Sequence, residues 1–155
     1  MTVEQGDAAP TFALPGNDGR THRLEDYAGR RLVLYFYPKD DTPGCTTQAC
    51  DFRDNMARLT AAGAVVLGVS RDARASHDAF RDKYDLNFVL LTDEDVSVHR
   101  AYGAFGEKKS YGRTVEGVIR STFIIDGDGV VTAAMRNVRA GGGHVDRVLA
   151  TLEEG

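Results

Sequence analysis

The sequence predicts an α/β domain, a mixed sheet with helices on both faces. Short β-prone runs alternate with stretches of helical spacing through the middle of the chain. Turn-rich segments mark one hairpin near the beginning and another towards the end. An apolar fraction of 42% over 155 residues suffices for one packed core, and the chain is read as one domain spanning 1–155.

The elements follow in order. Thr11–Leu14 and Thr21–Arg23 flank Pro15-Gly16-Asn17-Asp18-Gly19, so a hairpin is expected there. Leu32–Tyr37 is a continuous apolar run of strand length, hence a buried central strand that stops at Pro38. A polar loop follows, and Pro43 suits a first helical turn. The spacing from there to about Ala61 is helical. Ala64–Val69 reads as a strand, Arg74–Tyr84 as a helix and Phe88–Leu91 as a strand. Asp93, Glu94 and Asp95 place acids before a short helix through Tyr102, as a helix dipole favours. Val118–Ile125 and Val130–Met135 are two strands joined by Asp126-Gly127-Asp128-Gly129. Val145, Val148, Leu149 and Leu152 form the stripe of a last helix. This order fits a thioredoxin-like three-layer α/β/α sandwich with a mixed central sheet and an N-terminal β-hairpin.

Charge and composition remove several functions. The net charge of −4 is spread along the chain without a basic block, so no nucleic-acid partner is expected. No apolar run approaches membrane-spanning length, and the first residues lack a basic segment followed by an apolar one. No membrane partner and a cytoplasmic location are the expectations. His22, His77, His99 and His144 are scattered without metal-ligand spacing and read as surface or loop residues; no metal is expected. Gly141-Gly142-Gly143 lacks the rest of a phosphate loop and reads as a helix lead-in.

The chemistry concentrates between Pro38 and Cys50. Cys45 falls in the first turn of the helix after the central strand, where unpaired backbone N–H groups and the helix dipole favour a thiolate. Gly44 permits close approach of a ligand to the backbone, and the Thr42 hydroxyl can donate to sulfur or to a substrate oxygen. Cys45, Ala49, Phe52, Met56 and Leu59 share one helix face, the face a core would cover. Cys50, five positions on, would have its Cα about 8–9 Å from that of Cys45. A disulfide needs about 7 Å or less. The pair therefore cannot bond across an intact helix, and a disulfide between them requires its first turns to unwind.

Pro38, Thr42 and Cys45 match Pro-x-x-x-Thr-x-x-Cys, and this segment resembles the active-site motif of peroxiredoxins. The second cysteine, with Gly106-Glu107-Lys108-Lys109, Tyr111-Gly112 and Gly117 to Asp126, is similar to the peroxiredoxin Q, or bacterioferritin-comigratory-protein, subfamily. The resemblance implies a peroxidase acting on hydrogen peroxide and organic hydroperoxides. Cys45 would be the peroxidatic cysteine and Cys50 the resolving one. Arg120 would hold the thiolate and the peroxide oxygens, Thr42 and the Cys45 N–H would orient the peroxide, and Pro38 would shield the pocket. Thioredoxin or a similar dithiol would restore the thiols, with no cofactor and a monomeric chain. Gln48 stands where the resemblance leads one to expect Glu, so a charge or relay role at that position is open.

Other readings of the same residues stay open. Cys45 could be a buried small hydrophobe, Cys50 a structural thiol, and Thr42-Pro43 simply a helix start. Without the resemblance, Arg120 reads as a surface ion-pair residue. A thiol–disulfide oxidoreductase on the same fold, or a redox-sensing holdase, are the competing functions. The first normally uses Cys-x-x-Cys, not the four-residue gap here.

Overall fold

The structure, a computed structural model, describes residues 3–110 and 112–154. Its centre is a five-stranded sheet. Strands β1 (Ala13–Pro15) and β2 (Thr21–Arg23) form the separate N-terminal hairpin, and β3 (Arg31–Phe36) runs through the middle of the main sheet. Helices α1 (Pro43–Asp54) and α2 (Met56–Ala61) lead to β4 (Ala64–Ser70), then α3 (Arg74–Tyr84), β5 (Val89–Thr92) and α4 (Ser97–Tyr102). A two-stranded ribbon, β6 (Phe105–Ser110) and β7 (Arg113–Val118), precedes β8 (Ser121–Ile125), β9 (Val131–Met135) and α5 (His144–Glu154). The main sheet has the order β5-β4-β3-β8-β9. β3, β4 and β5 are parallel, whereas β8 runs antiparallel to both β3 and β9.

Strand pleating builds two cores from one strand. Val33, Tyr35 and Tyr37 face one layer, with Cys45, Ala49 and Phe52 of α1, Phe80 of α3 and Val148 and Leu149 of α5. Leu32, Leu34 and Phe36 face the other, with Phe12, Leu14, Tyr27 and Val98 and Tyr102 of α4. The two faces are covered unequally: four helices pack on the first, and α4 with the N-terminal segment on the second. Bridges from Ala8 to Val130 and from Gly16 to Leu91 fasten that segment to the sheet.

Four expectations are corrected. The helix expected to run to Ala61 breaks at Asn55, whose side-chain amide donates to the Asp51 carbonyl at 2.8 Å and competes with the helical ladder. The expected strand Val118–Ile125 is two. Ile119 and Arg120 leave the ladders, Ile119 N–H donating to Ala104 O and Arg120 O accepting from Val138 N–H. The chain thereby passes from the ribbon to the main sheet. The ribbon itself has no counterpart in the hydrophobic pattern, because most of its residues are exposed and Glu107, Lys108 and Lys109 mask any alternation. Finally, His77, His99 and His144 are buried, not superficial. His99 Nδ1 lies 2.6 Å from Asp93, and His144 Nε2 lies 2.9 Å from the Thr122 hydroxyl. Burial pushes the Asp93 carboxyl up, but hydrogen bonds from the His99 ring and backbone outweigh this and leave it below its ordinary value.

His144 gives the fold a pH dependence. Burial, and then the charges of Arg147 and Arg120, lower its pKa from 6.5 to about 4. An unfolded chain binds a proton there below pH 6.5 while the folded chain stays neutral to about 4. The stability tied to this ring is therefore intact above pH 6.5 and is lost as the pH falls through that window. Denaturant titrations at pH 7 and pH 4.5 are expected to lose about 2 kcal/mol less in His144→Gln than in the parent chain. Parallel losses in the two proteins would contradict this assignment.

Candidate active site

The site lies at the carboxyl end of β3, where the chain turns from sheet to helix. Thr42 is the N-cap of α1 with extended backbone (φ −97°, ψ 155°), and Pro43 takes the first helical position. The first helical bond runs from Thr46 N–H to Thr42 O at 2.8 Å. The Gly44 and Cys45 N–H groups therefore have no acceptor within the helix. Cys45 is 1% exposed, with its side chain on the core side of α1, and Cys50 is half-buried. Both are free thiols on an unbroken α1.

Arg120 reaches this turn from the junction of β7 and β8. Its Nη2 donates to Cys45 Sγ at 3.3 Å, and its Nη1 donates to Gln48 Oε1 at 2.6 Å. Among the described residues, no carboxylate lies within ion-pairing reach of Arg120. Gln48 is 0% exposed and neutral, so it aims the guanidinium without neutralising it. The full positive charge thus faces the sulfur in a poorly solvated place, where it acts more strongly than in water.

Thr42 differs from the simplest expectation. Its hydroxyl donates to Lys39 O at 2.8 Å and does not cap the helix, so towards a ligand it is left as an acceptor. Pro38 is half-buried at the end of β3. Gly44 sits in a tight space: a Cβ there would lie 3.2 Å from the Ala140 Cβ and 3.3 Å from Arg120 Nη2. The sequence brings Pro38, Thr42, Gly44, Cys45 and Cys50 together by proximity in the chain, and only folding adds Arg120. It does not reveal the Ala140 contact, since a loop after β9 carries no pattern that points to α1. Tyr111, part of the resemblance, lies outside the described residues. Among the described residues no cluster of His, Cys, Asp and Glu could hold a metal.

A buried cysteine in the first turn of a helix, faced by an unneutralised arginine at the carboxyl end of a mixed sheet, defines a thiol-based redox enzyme. Comparison with known proteins narrows the class. The AhpC/TSA family pattern matches residues 5–134. The peroxiredoxin Bcp of Bacillus subtilis is 44% identical over 154 residues, covering 99% of this chain and 98% of that one. Xanthomonas campestris peroxiredoxin Q superposes with a TM-score of 0.90 at 43% identity, over 99% of this chain and 97% of that structure. A structure of the bacterioferritin comigratory protein of the same organism, described for its alkyl peroxide reduction, gives 0.89 at 42% identity over 99% and 98%. The chain belongs to the AhpC/TSA family, among its peroxiredoxin Q, or Bcp, thiol peroxidases, and shares their thioredoxin fold.

The Gly44 contacts make a direct test. Gly44→Ala favours the helix but pushes the new methyl against Arg120. Stopped-flow oxidation of the variant by hydrogen peroxide is expected to be about tenfold slower than that of the parent, because the donor is displaced from the sulfur. An unchanged rate would show that the contact does not govern reactivity.

Proposed function

We propose that the chain reduces hydrogen peroxide and organic hydroperoxides through a Cys45 sulfenic acid and a Cys45–Cys50 disulfide, and is recycled by thioredoxin or a similar dithiol. The observation that carries this is the 3.3 Å contact between Arg120 and Cys45 Sγ in the first turn of α1. The donor set there suits a small group with two adjacent oxygens. Arg120 and the free N–H groups of Gly44 and Cys45 donate, and Thr42 accepts.

The steps balance without a cofactor. The Cys45 thiolate attacks the terminal oxygen of ROOH, the S–O bond forms, and the O–O bond breaks. The leaving RO⁻ takes a proton and departs as alcohol, or as water from hydrogen peroxide, leaving Cys45–SOH. Arg120 remains beside the sulfur as charge moves from it to the leaving oxygen, and Pro38 limits the entry of water. The Cys50 sulfur then attacks Cys45–SOH, forming the S–S bond and releasing water. A dithiol returns both cysteines to thiols and is itself oxidised to a disulfide. The intact α1 holds the sulfurs apart, so the second step needs its first turns to open. Both cysteines lie in one chain, which makes a monomer sufficient, and a reducing cytoplasm supplies a dithiol donor.

Two variants divide the steps. Cys45→Ser is expected to abolish peroxide reduction. Cys50→Ser is expected to keep the rapid first oxidation of Cys45 but to lose continuous turnover, followed as NADPH consumption with thioredoxin and its reductase. Sustained turnover in Cys50→Ser would remove Cys50 from the cycle. Oxidation of the parent chain no faster than that of a free thiol would sink the peroxidase reading.

A further inference from the structure

The polar loop before α1 is fastened from behind by residues outside the motif. The Asp40 side chain is almost wholly buried, and so is His77 of α3. Asp40 Oδ2 lies 2.7 Å from His77 Nδ1 and accepts from the Ser76 hydroxyl at 2.8 Å. Asp40 Oδ1 accepts from the Tyr37 hydroxyl at 2.6 Å. Burial, and then the charges of Tyr35 and Asp40, hold the Tyr37 phenol well above its ordinary value, so that hydroxyl stays a donor. The Asp40 N–H donates to Asp72 at 2.9 Å.

The far side of the ring fixes one proton. His77 Nε2 lies 3.0 Å from the Leu91 carbonyl, which only accepts, so Nε2 carries a hydrogen. The ring's other nitrogen, Nδ1, shares the 2.7 Å hydrogen bond with Asp40 Oδ2. A buried pair of this kind adds little net stability over apolar residues of the same volume.

We infer that Asp40 and His77 are positioning residues of the peroxide site, locking the loop that starts α1. This rests on the peroxidase reading above. The linkage is short and continuous. Asp40 lies inside the Lys39–Thr42 turn, which the Thr42 hydroxyl closes onto Lys39 O. Thr42 in turn begins α1 and accepts its first helical bond. Asp41, between Asp40 and Thr42, has φ 57°, a left-handed conformation uncommon outside glycine. Lys83 and Tyr84, also of α3, hold its carboxylate at 2.9 and 2.8 Å. So α3 grips two successive residues of the turn that sets Thr42, the free N–H groups and Cys45. Loosening the grip should misplace the peroxide donors and ease the opening of α1. The first chemical step should then slow while the second does not, which a purely structural pair would not produce.

The test uses the full chain with Asp40→Ala, His77→Gln and Asp40→Asn. Stopped flow gives the rate of Cys45 oxidation by hydrogen peroxide. Rapid-quench mass spectrometry gives the rate of disulfide closure, and thermal melting gives stability. Asp40→Ala and His77→Gln are expected to slow the oxidation about 10- to 100-fold, with closure unchanged or faster. Asp40→Asn can donate its amide to Nδ1 of a neutral His77 and keep the Leu91 bond; it should retain oxidation within about threefold. If Asp40→Ala does not fold, the contrast between His77→Gln and Asp40→Asn decides. Parental rates in both His77→Gln and Asp40→Ala, or an equal slowing of both steps, would overturn the inference while leaving the peroxidase reading intact. A parent chain no more reactive than a free thiol would overturn both.

Discussion

The hydrogen bond from Arg120 to the Cys45 sulfur joins residues 75 positions apart, and three parts of the fold combine to make it. β3 delivers the chain to the carboxyl end of the sheet, and Pro43 starts the helix that puts Cys45 in its first turn. The change of strand partners after Val118 frees Arg120 from the ladder, and Gln48 points its guanidinium. Gly44 leaves the gap in which the two meet. A charge facing a sulfur that is hardly solvated is the asset of this arrangement, and each neighbour preserves it by staying neutral or small.

In the proposed cycle the same helix meets opposing demands. Peroxide reduction would use the intact first turn, which supplies the free N–H groups and keeps Cys45 against Arg120. Closure of a Cys45–Cys50 disulfide would need that turn to open, because five helical positions separate the two residues. The segment is anchored at both ends. The turn before α1 is held by α3 through Asp40 and Asp41. Beyond the first turns, Phe52 is buried in the core, and the Arg53 guanidinium donates to the Tyr84 carbonyl at the end of α3. The stretch from Pro43 to Cys50 lies between these anchors, and it carries both sulfurs.

Much of this was legible in the sequence, for identifiable reasons. The apolar run at β3 and the spacing of Cys45, Ala49, Phe52 and Leu59 reflect burial, and burial leaves a period that a sequence shows. The Arg74–Tyr84 helix falls on the expected residues. What escaped depends on partners distant in the chain. A histidine inside a core looks like one on a surface until its acceptor is known, and Leu91 and Asp40 become partners of His77 only by folding. The ribbon β6–β7 has little buried face to impose a period. The break before Ser121 is a change of pairing within a continuous β-prone run, which composition cannot mark. Arg120 was legible as a site residue only through family resemblance, and its aim only through the structure.

The claim that everything else serves is that one helix alternates between a closed, peroxide-reactive turn and an opened, disulfide-forming one. Amide hydrogen exchange on the reduced and the peroxide-oxidised chain measures this directly. In the reduced chain, amides from Thr46 to Cys50 should exchange slowly. On oxidation they should lose that protection while β3, β4 and β8 keep theirs. Retained protection of these amides in a chain shown by mass spectrometry to hold the Cys45–Cys50 disulfide would contradict the account.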